Sequence, residues 1–216
     1  MSFKLFNVLT AYGDQVRLSI EDNHHMILDK LKQFNNNWSK YNPRKNINRW
    51  GLSVTNLDGK LGPGPDLDSL YEYNKENKTN ISESNFTVPT PVYDIVSTYC
   101  NPFKKWLFRS HILKLPPGGF FPPHIDNTGS KINSFRLIVP LQICNPSEGN
   151  FFIYDSQRIL RWDYGRVYFL NTCKAHTVFN ARSTTKIKFS DNHIVLIMNI
   201  ALTEESVSNV TNLIEV

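Results

Sequence analysis

From Lys105 to Leu202 the apolar residues recur with a period of two, and this limits the fold more than any other feature of the chain. Residues 106–115, 134–143, 150–155, 157–162, 166–171, 175–180, 185–189 and 193–202 read as strands, separated by Pro, Gly, Asn, Asp or Ser. About eight short strands without intervening helices predict a sandwich or barrel rather than an alternating α/β fold. A double-sheeted jelly roll is the form of this kind that most often carries a metal inside.

The remainder of the chain reads as support for that core. Phe3 and Leu5, then Val16, Leu18 and Ile20, alternate around Gly13-Asp14 and predict an opening β-hairpin. Ile27, Leu31, Phe34 and Trp38 are spaced as the buried stripe of a helix over 23–38. Arg49–Leu57 reads as a strand that ends in an Asn-Leu-Asp-Gly turn. Lys60–Thr90 is the least regular region and is read either as a flap over a site or as plain surface disorder. Pro91–Cys100 predicts a short helix, and Thr203 caps a last one carrying Val207, Val210 and Leu213. One domain is expected over 1–216, with helical and loop support in 1–104, a β core in 105–202 and a terminal helix in 203–216.

Composition narrows the function classes. At 216 residues and 40% hydrophobic content the chain can bury a sizeable core, and no apolar run approaches the roughly 18 residues of a membrane span. Met1–Tyr12 lacks the features of a secretory leader, so a cytoplasmic protein is expected. Cys100, Cys144 and Cys173 are widely spaced and form no Cys-x-x-Cys pair, which indicates reduced thiols rather than a disulfide or zinc scaffold. The net charge of +5 is scattered, with Arg44, Lys45 and Arg49 its densest group. That pattern argues against nucleic acid as the partner and suits an anionic small substrate.

The chemistry concentrates in Leu115–Asn127, where Pro-Pro-Gly-Gly leads into His124-x-Asp126. On an extended segment residues two apart share a face, so this imidazole and carboxylate can converge on one point. Two histidines and one carboxylate suit ferrous iron and leave open positions on an octahedral ion. His176, across several strands, is the candidate third ligand. The plain alternative is a surface pair at His124 and Asp126 with His176 as a satisfied core residue.

Four stretches then carry a resemblance: Pro-Gly-Gly-x-x-x-Pro-His-x-Asp ending at Asp126, Phe-Arg-Leu-Ile-Val-Pro-Leu at 135–141, Trp-Asp-Tyr-Gly-Arg-Val-Tyr-Phe-Leu-Asn at 162–171 and His-Thr-Val-Phe-Asn at 176–180. Together they resemble the iron(II)- and 2-oxoglutarate-dependent dioxygenases, within them the aspartyl/asparaginyl β-hydroxylase-like and proline hydroxylase-like branch. The resemblance spans about Leu113–Leu202. It implies a mainly β fold, a double-stranded β-helix or cupin-like jelly-roll barrel with flanking helices. It also implies His124, Asp126 and His176 as iron ligands, and Arg136 as a cation for the far carboxylate of 2-oxoglutarate. A second basic residue is expected about ten positions past the distal histidine. Lys186 matches by spacing, whereas His193 matches if strands are aligned instead. The activity implied is hydroxylation of an unactivated carbon of an amino acid or peptidyl side chain, with dioxygen consumed and succinate and carbon dioxide released. Trp50, Phe120, Phe121, Trp162, Phe169 and Phe179 are candidate walls. Competing readings are a cupin-type metalloenzyme that does not use 2-oxoglutarate and a non-catalytic jelly-roll binding module.

Overall fold

A computed structural model describes residues 2–126, 132–143, 151–153, 157–182, 186 and 188–215. The chain opens with α1 (Ser2–Thr10), β1 (Gln15–Leu18) and α2 (His24–Leu31), the last continued as a 3-10 segment through Asn37. Then come β2 (Ser39–Lys40), β3 (Trp50–Ser53), β4 (Thr55–Asn56), α3 (Leu70–Asn77), β5 (Val88–Pro89), α4 (Pro91–Ile95) and α5 (Ser97–Cys100). The β-rich half comprises β6 (His111–Leu115), β7 (Phe120–His124), β8 (Ser134–Gln142), β9 (Phe151–Ile153), β10 (Arg158–Leu160), β11 (Val167–Leu170), β12 (His176–Phe179) and β13 (His193–Ala201). The last described helix is α6 (Glu204–Asn212).

The fold is mainly antiparallel β with flanking helices. Seven strands form one sheet in the order β1-β11-β8-β13-β6-β3-β2, four form a second in the order β10-β9-β12-β7, and β4 pairs with β5 in a small ribbon. The nearly continuous apolar run of β13 explains its central place: all nine of its residues are buried, as in a strand covered on both faces. Ile194, Leu196, Met198 and Ile200 pack into a core with Phe6, Leu9, Ile27 and Val92 from the helices. Val195 and Ile197, on the opposite face, pack with Leu113 and Ile138 of their own sheet and with Ile153 and Leu160 of the smaller one. Towards the ends of β13 this inner layer turns polar, with His193 at one end and Asn199, the register partner of Arg136, near the other.

Several expectations change in the N-terminal half. Instead of a hairpin, 2–10 is helical, because Phe6 and Leu9 bury together as a helical pair, and β1 pairs with β11 from the far end of the chain. The helix expected over 23–38 stops at Leu31, and the backbone leaves helical geometry at Phe34. Lys60–Thr90 has regular structure of its own. Ser69 caps α3, Lys78 ends it in a left-handed conformation, and Leu67 and Phe86 are fully buried anchors. The Arg109 guanidinium ties this segment down by donating to the carbonyls of Asp66 and Asp68, each at 2.7 Å. Of the strand expected over 185–189, Thr185 and residue 187 lie outside the described residues, and Phe189–Asp191 is a 3-10 turn. Cys100 and Cys173 are free thiols, whereas Cys144 lies outside the described residues. No described helix is long and apolar enough to cross a membrane.

Candidate metal centre and anion pocket

The lead-in to β7 depends on its two glycines. Gly118 has φ of +73°, a left-handed conformation that glycine adopts without steric cost. A Cβ on Gly119 would stand 2.8 Å from the carbonyl oxygens of both Asn48 and Pro116. The turn is locked to the far end of β12 by Gly118 N–H donating to Asn180 O and Asn180 N–H donating to Gly119 O. The lock sets the register, in which His124 at the end of β7 faces His176 at the start of β12.

Both imidazoles are oriented by the backbone. His124 Nδ1 lies 2.8 Å from the carbonyl of Pro122, and His176 Nδ1 lies 2.8 Å from that of Lys174. A carbonyl can only accept, so each Nδ1 carries a proton, and each Nε2 is the ring nitrogen turned inward towards Asp126. Asp126 is fixed by its N–H donating to Thr172 O at 3.1 Å. Its Oδ1 is 3.2 Å from His124 Nε2 and its Oδ2 is 3.5 Å from His176 Nε2. One ligand atom from each of the three residues falls within 4.8 Å of the others.

Such a donor set fits a metal ion. Neighbouring donors on an octahedral ion with bonds of roughly 2.1 Å stand roughly 3 Å apart, close to the separations found here. Two neutral nitrogens and one hard oxygen match a divalent transition metal better than calcium or magnesium. Burial pulls the His176 imidazole down to about 4, so it is neutral and able to bind metal at pH 7. Burial also raises the Asp126 carboxyl, but the Arg136 guanidinium and the imidazoles outweigh it and hold the group well below the usual carboxylate range.

From this cluster a cavity runs between the sheets, lined by His124, His176, Thr172, Arg136 and, farther along, Trp162, His193 and Arg49. The residues expected to hold a co-substrate separate here. Arg136 faces the cavity but is engaged: Nη1 pairs with Asp126 Oδ2, and Nε donates to Asn199 Oδ1 at 3.1 Å. His193 faces it too. Burial takes His193 down to about 4, and its Nδ1 lies 3.2 Å from the carbonyl of Gln142, so at pH 7 it carries no charge. Lys186 is exposed and is not among the residues lining the cavity. Among the candidate walls, Trp162 lines the cavity and Phe121 packs over Arg49, while Phe120 lies largely in solvent. Phe169 turns away into the helix-side core, because its neighbours Tyr168 and Leu170 occupy the inward positions of β11.

Sequence reading missed the importance of Arg49. Immediately before β3, it is 6% exposed, with its guanidinium 4.4 Å from the Tyr41 ring and 4.2 Å from the Phe121 ring. Its Nε is buried without a hydrogen bond, and among the described residues no acid pairs with it. Burial draws Arg49 down to about 10, which leaves it a cation at neutral pH. Two cation–π contacts at about 1 to 2 kcal/mol each offset only part of a desolvation penalty of several kcal/mol. The available signal is a lone charge at the head of an apolar strand.

Solved structures share this architecture across most of both chains. An oxidoreductase of the 2OG-Fe(II) oxygenase family from Burkholderia pseudomallei matches with a TM-score of 0.50 at 12% identity, over 94% of this chain and 91% of that one. HygX from Streptomyces hygroscopicus, solved with nickel, 2-oxoglutarate and hygromycin B, matches with a TM-score of 0.50 at 10% identity, over 94% and 87%. The chain has the fold of the 2OG-Fe(II) oxygenases. SnoN, a non-heme alpha ketoglutarate dependent epimerase from nogalamycin biosynthesis, extends the likeness, with a TM-score of 0.51 at 9% identity over 93% and 82%. No family model and no curated protein matches the sequence.

Proposed function

We propose that the chain is an iron(II)- and 2-oxoglutarate-dependent dioxygenase that hydroxylates an unactivated carbon of an amino acid or a peptidyl side chain. The observation that carries the proposal is the convergence of His124 Nε2, Asp126 and His176 Nε2, with separations of 3.2 and 3.5 Å and with backbone carbonyls fixing both imidazole tautomers. The strand order supports a jelly roll. The chain passes between the large and small sheets as β6, then β7, β8, β9 with β10, β11, β12 and β13, which is the alternation of a double-stranded β-helix.

In this reading His124, Asp126 and His176 hold iron(II), which supplies the dioxygen and keto-acid chemistry. Arg136 keeps Asp126 ionised and oriented. Leu113, Ile138, Val195 and Ile197 give the cavity apolar walls, and these exclude water from the reacting centre. Phe120 at the start of β7 and Ile125 next to His124 at its end, 52% and 44% exposed, offer apolar contact to a substrate arriving from outside.

Anaerobic addition of iron(II) and then 2-oxoglutarate should give a weak visible charge-transfer band that His124→Ala abolishes. A screen over free amino acids, led by proline, aspartate and asparagine, should reveal substrate-dependent succinate. Absence of the band in the parent protein would overturn the assignment. Oxygen consumption without succinate would favour a metalloenzyme of the same fold that does not use 2-oxoglutarate.

A further inference from the structure

We infer that Arg49, a residue outside the two-sheet core, is the cation that anchors the distal carboxylate of 2-oxoglutarate. The inference rests on the function proposed above and deepens it by assigning the far end of the pocket. Arg49 stands beside the core strands by register: Trp50 pairs with Lys114 across β3 and β6, and Leu115 pairs with His193 across β6 and β13. From that position its side chain reaches over the end of β6 to Phe121 on the other sheet and forms part of the cavity wall beside His193.

Three observations favour Arg49 over the other cations. Arg136 already pairs with Asp126 and Asn199, and Arg109 is spent on the carbonyls of Asp66 and Asp68. His193 donates its only imidazole proton to Gln142 O, which leaves none for a carboxylate. Arg49 alone among these combines burial, an Nε without a partner and a place on the cavity wall. A carboxylate can accept two parallel hydrogen bonds from a guanidinium, and held there it would complete both groups.

The test uses the full chain loaded with nickel(II) and compares 2-oxoglutarate with 2-oxopentanoate, which has the same keto-acid end and a methyl in place of the distal carboxylate. Binding is followed by calorimetry, and thermal melting is recorded in parallel. The parent should prefer 2-oxoglutarate by about 100-fold, the scale of one desolvated charge-assisted pair. Arg49→Met should reduce that preference to within about threefold and leave 2-oxopentanoate and nickel affinity unchanged. Because the substitution removes a buried charge without an acidic partner, melting should not fall, whereas a structural arginine would be missed by the fold. Arg49→Lys should restore part of the preference. An undiminished preference in Arg49→Met overturns the inference. If the parent binds neither keto acid, the dioxygenase reading fails, and glutarate titrated into metal-free protein decides for Arg49. Glutarate binding lost in Arg49→Met retains it as a carboxylate anchor, and absence of glutarate binding in the parent removes that role too.

Discussion

Replacing Asp126 with Asn separates what this residue does for the fold from what it does for a metal. Asp126 is the charged partner of Arg136, and the two side chains are 9% and 18% exposed. Removing one member of a buried ion pair costs about 3 to 5 kcal/mol, because the other charge remains desolvated. An asparagine oxygen still accepts from Arg136, and Asn199 still accepts from its Nε, so the lower end of that range applies. For a domain of this length about 3 kcal/mol lowers the melting temperature by roughly 9 °C in metal-free protein. The parent, with free nickel(II) or manganese(II) at 100 times its dissociation constant, should gain about 2.7 kcal/mol, again several degrees. Asp126→Asn should lose that gain, since a carboxamide is a poor ligand for either ion. The double variant Asp126→Asn/Arg136→Met should recover most of the metal-free stability but none of the metal-induced gain. Differential scanning calorimetry with and without metal reads all of this. An Asp126→Asn protein that melts with the parent in the absence of metal would refute the first role, and one that still gains stability from metal would refute the second.

Three further outcomes follow from the same geometry. His193 is held near 4 by burial, below its unfolded value of 6.5, so the unfolded chain takes up this proton first and stability falls as pH drops through that window. Urea denaturation between pH 7 and pH 4 should show a loss of up to about 3 kcal/mol from this residue, absent in His193→Gln; equal slopes would remove the argument. Gly119→Ala would push a methyl to 2.8 Å from two backbone oxygens at the entry to β7, costing about 1 to 3 kcal/mol and weakening metal binding, and unchanged nickel affinity would show that the turn does not position His124. Gly165, with φ of +67° and a would-be Cβ 1.8 Å from Asp22 Oδ1, should tolerate alanine even less, as judged by soluble yield and melting temperature.

How far such a site can be read from sequence depends on how its residues are brought together. His124 and Asp126 were legible because a ligand pair two residues apart on extended backbone needs no knowledge of the rest of the fold. The strands were legible for a related reason: β8, β11, β12 and β13 carry period-two or doubly apolar patterns that specify burial locally. The N-terminal half was harder. Residues 2–10 can be read as alternating or as helical, and the choice is made by packing of Phe6 against Phe169, whose rings meet at 6.0 Å across more than 160 positions of chain.

Arg49 lies at the far end of this scale. Its local sequence, Ile-Asn-Arg-Trp-Gly-Leu, gives a basic residue at the start of a strand, which is ordinarily a solvated position. What buries it is the pairing of β3 with β6, a contact some 60 residues away, together with Phe121 arriving from the opposite sheet. The pairing of β6 with β13 in turn helps take His193 out of solvent and leaves it neutral, although its place on β13 suggested a cation. Charge at this end of the pocket therefore depends on topology. A residue type chosen by spacing, such as Lys186, falls outside the cavity, and the positive charge enters from a strand that the core motifs do not include.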